Sequence, residues 1–307
     1  MPGVVIFRRL AVVTALFAYL QIALGGIVRV SGSGLGCPDW PLCHGRPYPP
    51  ADAHAIVEYS HRAVGSVTGV LIIATVVTAW VVFRRRRPIV AWLASASLIG
   101  VVGEGALGGV VVAQELSPWL VLVHLGLAMM IIGFLVATAV MSMPPSRGVP
   151  DPSFRRLAIV ATAATYLLLL TGSTVVASEA DASCNSWPLC GSGFALDFSG
   201  VSAFTMLHRG SVLVIGLLLL YVLSTAVRRW RSIDGMRVIA GAAIAAFVLQ
   251  VAVGAGSAVQ GGALFDGLHV ALATLVWSGV LATTLLAFPR ADRQPEITQL
   301  AVDRSSA

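Results

Sequence analysis

Two histidine–arginine pairs, His61-Arg62 and His208-Arg209, stand 147 positions apart, each at the edge of a long apolar run. Ionisable groups at a membrane edge are costly and usually functional. Two further histidines, His124 and His269, lie a few residues inside other apolar runs. Four imidazoles, one on every second run, can face each other in pairs across helical bundles. Neutral imidazoles in apolar surroundings suit a heme iron, with the porphyrin filling the space between helices. A lone metal ion would want further carboxylate or thiolate ligands, and none recur in both halves. The competing explanation, taken one histidine at a time, is a hydrogen bond to a neighbouring helix.

Glu58 lies one turn before His61, and the matching position in the second pair is Thr205. A carboxylate beside only one histidine suggests acid–base work in the first half alone. Its bland counterpart is a helix N-terminal carboxylate favoured by the dipole. Arg62 and Arg209 are suited to binding carboxylates such as heme propionates, or to snorkelling toward the interface. Glu104 sits within an apolar run where Gln250 is its match; a protonated or paired structural role is expected. His44 and His54 have no counterparts and read as solvated loop residues.

These residues need a membrane scaffold. The 307 residues are 57% hydrophobic and 11% charged, with a mean hydropathy of +0.87, more apolar surface than a soluble domain can hide. Eight runs of spanning length fall near 10–30, 60–83, 89–112, 119–142, 155–177, 205–227, 237–258 and 267–288. On that reading His61 and His208 begin the second and sixth helices. The first run is longer than a signal-peptide core and is expected to be a retained helix. All 20 basic residues are arginine, and sixteen fall on one side of the predicted spans. That side is expected to be cytoplasmic, with both termini. The positive charge therefore reports topology, not nucleic-acid binding.

The outer loops carry Cys37/Cys43 and Cys184/Cys190, again 147 apart, within Cys37-Pro38-Asp39-Trp40-Pro41-Leu42-Cys43 and Cys184-Asn185-Ser186-Trp187-Pro188-Leu189-Cys190. Outside the cytoplasm such pairs read as local disulfides. They serve either as staples or, in the first loop, as a redox-active or substrate-shaping pair. The repeated features imply duplication. The fold class is an all-α integral membrane protein with eight transmembrane helices in two pseudo-symmetric four-helix bundles. Its expected parts are residues 1–142, a proline-rich linker 143–154, residues 155–288 and a polar tail 289–307. Gln21-x3-Gly25, Glu104-x3-Gly108 and Gln250-x3-Gly254, with Leu168-x3-Gly172, mark the odd helices as sites of close helix approach.

Glu58-x2-His61-Arg62, His124, His208-Arg209, His269, both cysteine loops and the Gly25-Gly26 and Gly108-Gly109 pairs together resemble the heme A synthase family, in its bacterial form. The resemblance covers nearly all eight spans. It implies oxidation of the C8 methyl of heme O to a formyl group, giving heme A for cytochrome oxidase. It implies heme b as cofactor on His208 and His269, and the substrate heme between His61 and His124 with Glu58 as the catalytic group. Heme O synthase, cytochrome oxidase assembly factors and further copies of the chain are the partners it implies, in a bacterial plasma membrane. An electron-transfer cytochrome or a heme carrier without catalysis is the alternative. A through-membrane cytochrome would place hemes near both faces, whereas the four histidines favour one side.

Overall fold

Sequence and bilayer thickness dictate long helices, because lipid cannot satisfy backbone polar groups. The computed structural model describes residues 2–145, 148–180, 184, 186–190 and 198–290. Ser146 and Arg147 of the linker, Ser183 and Asn185 of the second loop, and the tail from 291, with Arg293 and Arg304, lie outside the described residues. Eight helices follow in order: α1 Pro2–Val30, α2 Ala53–Phe83, α3 Pro88–Ala113, α4 Pro118–Met141, α5 Pro152–Ala177, α6 Ser202–Arg229, α7 Met236–Gln260 and α8 Ala263–Leu286. Each is long and apolar enough to cross a membrane. Among the described residues there is no strand, only an isolated bridge between Cys43 and Arg46.

Helix starts are chemically marked. Pro88, Pro118 and Pro152 open α3, α4 and α5, where a missing N–H costs nothing. Asp52 and Asp151 cap α2 and α5 by accepting from the amides of Ala55 (3.0 Å) and Phe154 (2.8 Å). The Asp52 cap starts α2 seven residues earlier than hydropathy alone suggests. His61 therefore lies two turns inside α2, and His208 nearly two turns inside α6; neither begins its helix. The 31-residue α2 is roughly 46 Å long, more than the apolar core of a bilayer requires. Its first turns thus project toward the loop that carries Cys37 and Cys43.

The helices form two rings. In the first, α1 meets α2 and α4, and α3 meets α2 and α4; in the second, α5 meets α6 and α8, and α7 meets α6 and α8. The backbones of the diagonal pair α2 and α4 stay farther apart than those of α6 and α8. The arginine-rich end of each ring is packed solid. Phe7, Ala11, Ala79, Phe83, Val90 and Ala94 fill the first; Leu219, Leu223, Met236, Ala240, Val280 and Leu286 fill the second. The histidines occupy the opposite end.

The rings join along α1–α8, α4–α8 and α4–α5. Here Ile22, Met129, Ile132, Leu135 and Trp277 form one buried cluster. Trp277 donates its indole N–H to the carbonyl of Met129 (2.8 Å), and the Tyr166 hydroxyl donates to Gly126 (3.1 Å). At the arginine-rich end, Arg8 donates to Ser142 (2.7 Å), Arg87 to Met141 (3.1 Å) and Met143 (2.6 Å), and Arg290 to Pro144 (3.2 Å). Cations thus gather on the carbonyls at the end of α4, which its own helix leaves unpaired.

The two halves keep the same turns even where their residues differ. Gly32 after α1 and Glu179 after α5, again 147 apart, both have positive φ, at 66° and 57°. After α3 the left-handed positions are Glu115 and Leu116; after α7 they are Gly261 and Gly262. Geometry that one copy obtains from glycine, the other holds with a side chain of higher intrinsic cost.

Candidate functional site

Each of the four histidines lies against a glycine on the preceding helix. A Cβ placed on Gly25 would stand 3.0 Å from Cε1 of His61. The same construction gives 3.4 Å from Gly108 to His124, 3.0 Å from Gly172 to His208 and 2.8 Å from Gly254 to His269. These glycines do more than allow helix approach: they open the space that each imidazole occupies. The spacing identified the glycines, but the ring as the neighbour was not visible in it.

Three of the four imidazoles also meet a polar group, each a different one. The side-chain amide nitrogen of Gln21 lies 3.2 Å from Nε2 of His61. Thr171 shares a 3.0 Å hydrogen bond with Nδ1 of His208. Glu104 Oε1 is 3.2 Å from Nδ1 of His124, although the angle is not that of a formed hydrogen bond. The buried Nδ1 of His269 has no partner, and neither does the buried Oε1 of Gln250 on α7. Sequence reasoning missed Thr171, because register matched Gln21 with Leu168; the hydroxyl three residues later takes over. Its signal is a polar residue directly before the ring-packing glycine.

The first outer loop is bound to the start of α2. Cys37 and Cys43 form a disulfide, as do Cys184 and Cys190. Glu58, 3% exposed, accepts the Cys37 amide N–H (2.8 Å) and pairs with Arg62 one turn on. Arg62 donates to the carbonyls of Asp39 and Leu42 (both 2.7 Å) and of Cys37 (2.8 Å). Arg209 repeats the grip in the second half, donating to Ser186 (2.7 Å) and Pro188 (3.2 Å). Both arginines thus hold the loop backbone. Thr205 has no carboxylate to offer; its hydroxyl donates to Ala180 (3.1 Å) instead.

His44 and His54 are exposed but bonded. His44 reaches the Gly36 carbonyl from Nε2 (3.0 Å), and Nδ1 of His54 shares a 2.9 Å bond with Ser33. Asp39 accepts the amides of His44 (2.6 Å) and Gly45 (2.8 Å). Those N–H groups, Gly45 first, hold the Asp39 carboxyl below the usual carboxylate range. The Trp40 ring lies over Gly109 of α3, where a Cβ would stand 3.2 Å away, and so seats the loop on the first ring.

The donor set suits a heme. Among the described residues no three His, Cys, Asp or Glu side chains gather as a metal-ion site. The histidines of each ring instead sit on diagonal helices, α2 and α4 or α6 and α8, within electrostatic reach of one another. No imidazole has both ring nitrogens engaged by protein groups. Two imidazoles per ring, each half-buried and keeping a free nitrogen, could hold iron from two sides.

Comparison with known proteins gives the family. A model of the COX15-CtaA family, described as cytochrome oxidase assembly protein, matches residues 8–281. The chain belongs to this family. Among curated relatives, the heme A synthase of Symbiobacterium thermophilum is 31% identical over 250 residues, covering 77% of this chain and 80% of that protein. The heme A synthase of Shouchella clausii is 28% identical over 258 residues, covering 80% and 85%. That of Macrococcus caseolyticus is 26% identical over 290 residues, covering 91% and 95%. The COX15-CtaA match takes in all four ring-packing glycines and all four histidines of the site.

Proposed function

We propose that this chain is a heme A synthase, an oxidoreductase of the bacterial plasma membrane that converts the C8 methyl of heme O to a formyl group. The observation that carries the reading is the twofold occurrence of a glycine-backed imidazole pair, in a chain of this family. The first ring takes heme O as substrate between His61 and His124. The second holds a resident heme b on His208 and His269. When bound, heme b supplies one-electron redox chemistry that side chains lack.

The rest of the work belongs to the chain's own residues. The glycines set the position of each imidazole, and the solid cluster at the arginine-rich end would close each ring to a porphyrin on that side. With water as the source of the oxygen atom, going from methyl to formyl releases four protons and four electrons, and the electrons must pass to an external acceptor. Glu58 is the proton acceptor of the first half: it lies one turn from His61 and nothing equivalent exists at Thr205. Its pairing with Arg62 and the Cys37 N–H ties that acceptor to the disulfide loop, so the loop and the carboxylate move together. Arg62 and Arg209 position the loops above the two pockets and bring positive charge to the end where propionates would emerge. The arginine-rich end faces the cytoplasm, with both termini, and the disulfide loops face outward. Heme O synthase and oxidase assembly factors are the expected neighbours in the membrane.

The test is pigment analysis. The protein is expressed with a source of heme O, hemes are extracted, and heme A is sought. The wild type forms heme A; Glu58→Ala stalls conversion while the second-half heme stays bound. Full heme A formation by Glu58→Ala would remove Glu58 from the chemistry.

A further inference from the structure

The four imidazoles are alike in position but not in partner. His61 faces an amide, His208 a hydroxyl, and His269 packs one turn from the amide of Gln250. Among the four, His124 alone has a carboxyl oxygen in contact with a ring nitrogen, Glu104 Oε1 at 3.2 Å from Nδ1; Asp266, bonded to Ser257, lies within electrostatic reach of His269 but not in contact with it. Glu104 lies on α3 one turn before Gly108, the glycine that backs the same ring. Its Oε2 is buried with no partner. A carboxyl group in a membrane helix is expensive and needs a reason. The matching residue on α7 is glutamine, which has the same length and shape. Packing therefore does not require the acid.

We propose that Glu104 is a positioning residue for His124, poised at 3.2 Å to accept its Nδ1–H once the ring turns to ligate, and so presenting Nε2 as a strongly donating ligand in the first ring alone. The inference rests on the reading that His124 is a heme ligand. A histidine that ligates through Nε2 must carry its proton on Nδ1, and that N–H needs an acceptor. A carboxyl oxygen fixes this tautomer and orients the ring. As a carboxylate paired with that N–H, it also makes the imidazole a better electron donor than an amide or hydroxyl partner does. Better donation stabilises the oxidised metal and lowers its potential relative to a site with neutral partners. The two rings, built by duplication, thereby become electronically unequal. The first is biased toward giving up electrons, and the second, with Thr171 and Gln250, toward receiving them.

A reciprocal exchange tests this. Full-length protein in detergent is loaded with heme O under anaerobic conditions, and each heme is titrated by spectroelectrochemistry. Glu104→Gln should raise the potential of the first-ring heme by at least a tenfold shift in its redox equilibrium, about 59 mV for one electron. Gln250→Glu should lower that of the second-ring heme, and each change should leave the other heme untouched. In apo-protein carrying 15N-labelled histidine, Glu104→Gln should also reduce the population of the Nδ1–H tautomer of His124. Retained heme with an unmoved potential in Glu104→Gln overturns the inference. His124→Ala separates the levels. If it abolishes axial ligation in the first ring while Glu104→Gln shifts nothing, only the inference fails. If His124→Ala leaves the first-ring spectrum unchanged, the heme-ligand reading itself falls.

Discussion

Replacing Gly254 by alanine puts a methyl group 2.8 Å from Cε1 of His269. Ordinary contacts of that kind begin near 3.4 Å, so the ring or α7 must move by about 0.6 Å. A ligand shell tolerates roughly 0.5 Å of misplacement, and overpacking of this order costs about 1–3 kcal/mol. At 1.4 kcal/mol per decade, heme retention in the second ring should weaken by roughly 5- to 150-fold. Gly25→Ala and Gly172→Ala, at 3.0 Å, should cost less, and Gly108→Ala, at 3.4 Å, least. Gly241→Ala on α7 has nothing within 4 Å and serves as the control. The assay is transfer of heme to apomyoglobin from each purified variant, with the low-spin spectrum recorded alongside. Equal loss from Gly108→Ala and Gly254→Ala, or no loss from either, would refute the claim that these glycines set the height of the imidazoles.

Arg62→Gln leaves Glu58 buried without its cation and should destabilise by about 3–5 kcal/mol, whereas Arg209→Gln, with Thr205 in place of an acid, should cost only the lost hydrogen bonds; thermal unfolding in detergent compares them. Trp277→Phe removes the indole bond to Met129 across the ring junction and should cost about 1 kcal/mol, seen as a lower melting temperature with both hemes retained. Asp39 is held below its ordinary value of 3.8, so its contribution is present above that pH and is lost as pH falls through the depressed folded value; the protection of the His44 and Gly45 amides, relative to their intrinsic exchange, should hold at pH 5 and fall only in stronger acid, and Asp39→Asn should remove that transition.

How much was visible beforehand depends on the range of the contact. Apolar runs place all eight helices, because lipid leaves the backbone no alternative, and bound six of them within a few residues; α1 begins at Pro2, eight residues before its expected start. The start of α2 was missed, since Asp52 and the polar turn after it carry no hydropathy signal while capping does the work. Glu58 and Arg62 share a helix face and could be paired by spacing alone. Their grip on Cys37, Asp39 and Leu42 could not, because an irregular loop has no period from which to read its neighbours. The imidazole partners fall between these cases. Gln21 and Glu104 stood at the expected register, whereas Thr171 replaced a partner that Leu168 cannot supply. The odd-helix glycines were conspicuous, but only coordinates reveal that each faces a ring.

The most direct test of two imidazole-paired heme sites with reaction confined to the first is a set of four single alanine variants, at His61, His124, His208 and His269, analysed for bound heme and for heme A formed. His208→Ala and His269→Ala should lose the resident heme b. His61→Ala and His124→Ala should keep it and fail to form heme A. Heme b lost from all four variants alike, or heme A still made without His61 or His124, would contradict the account.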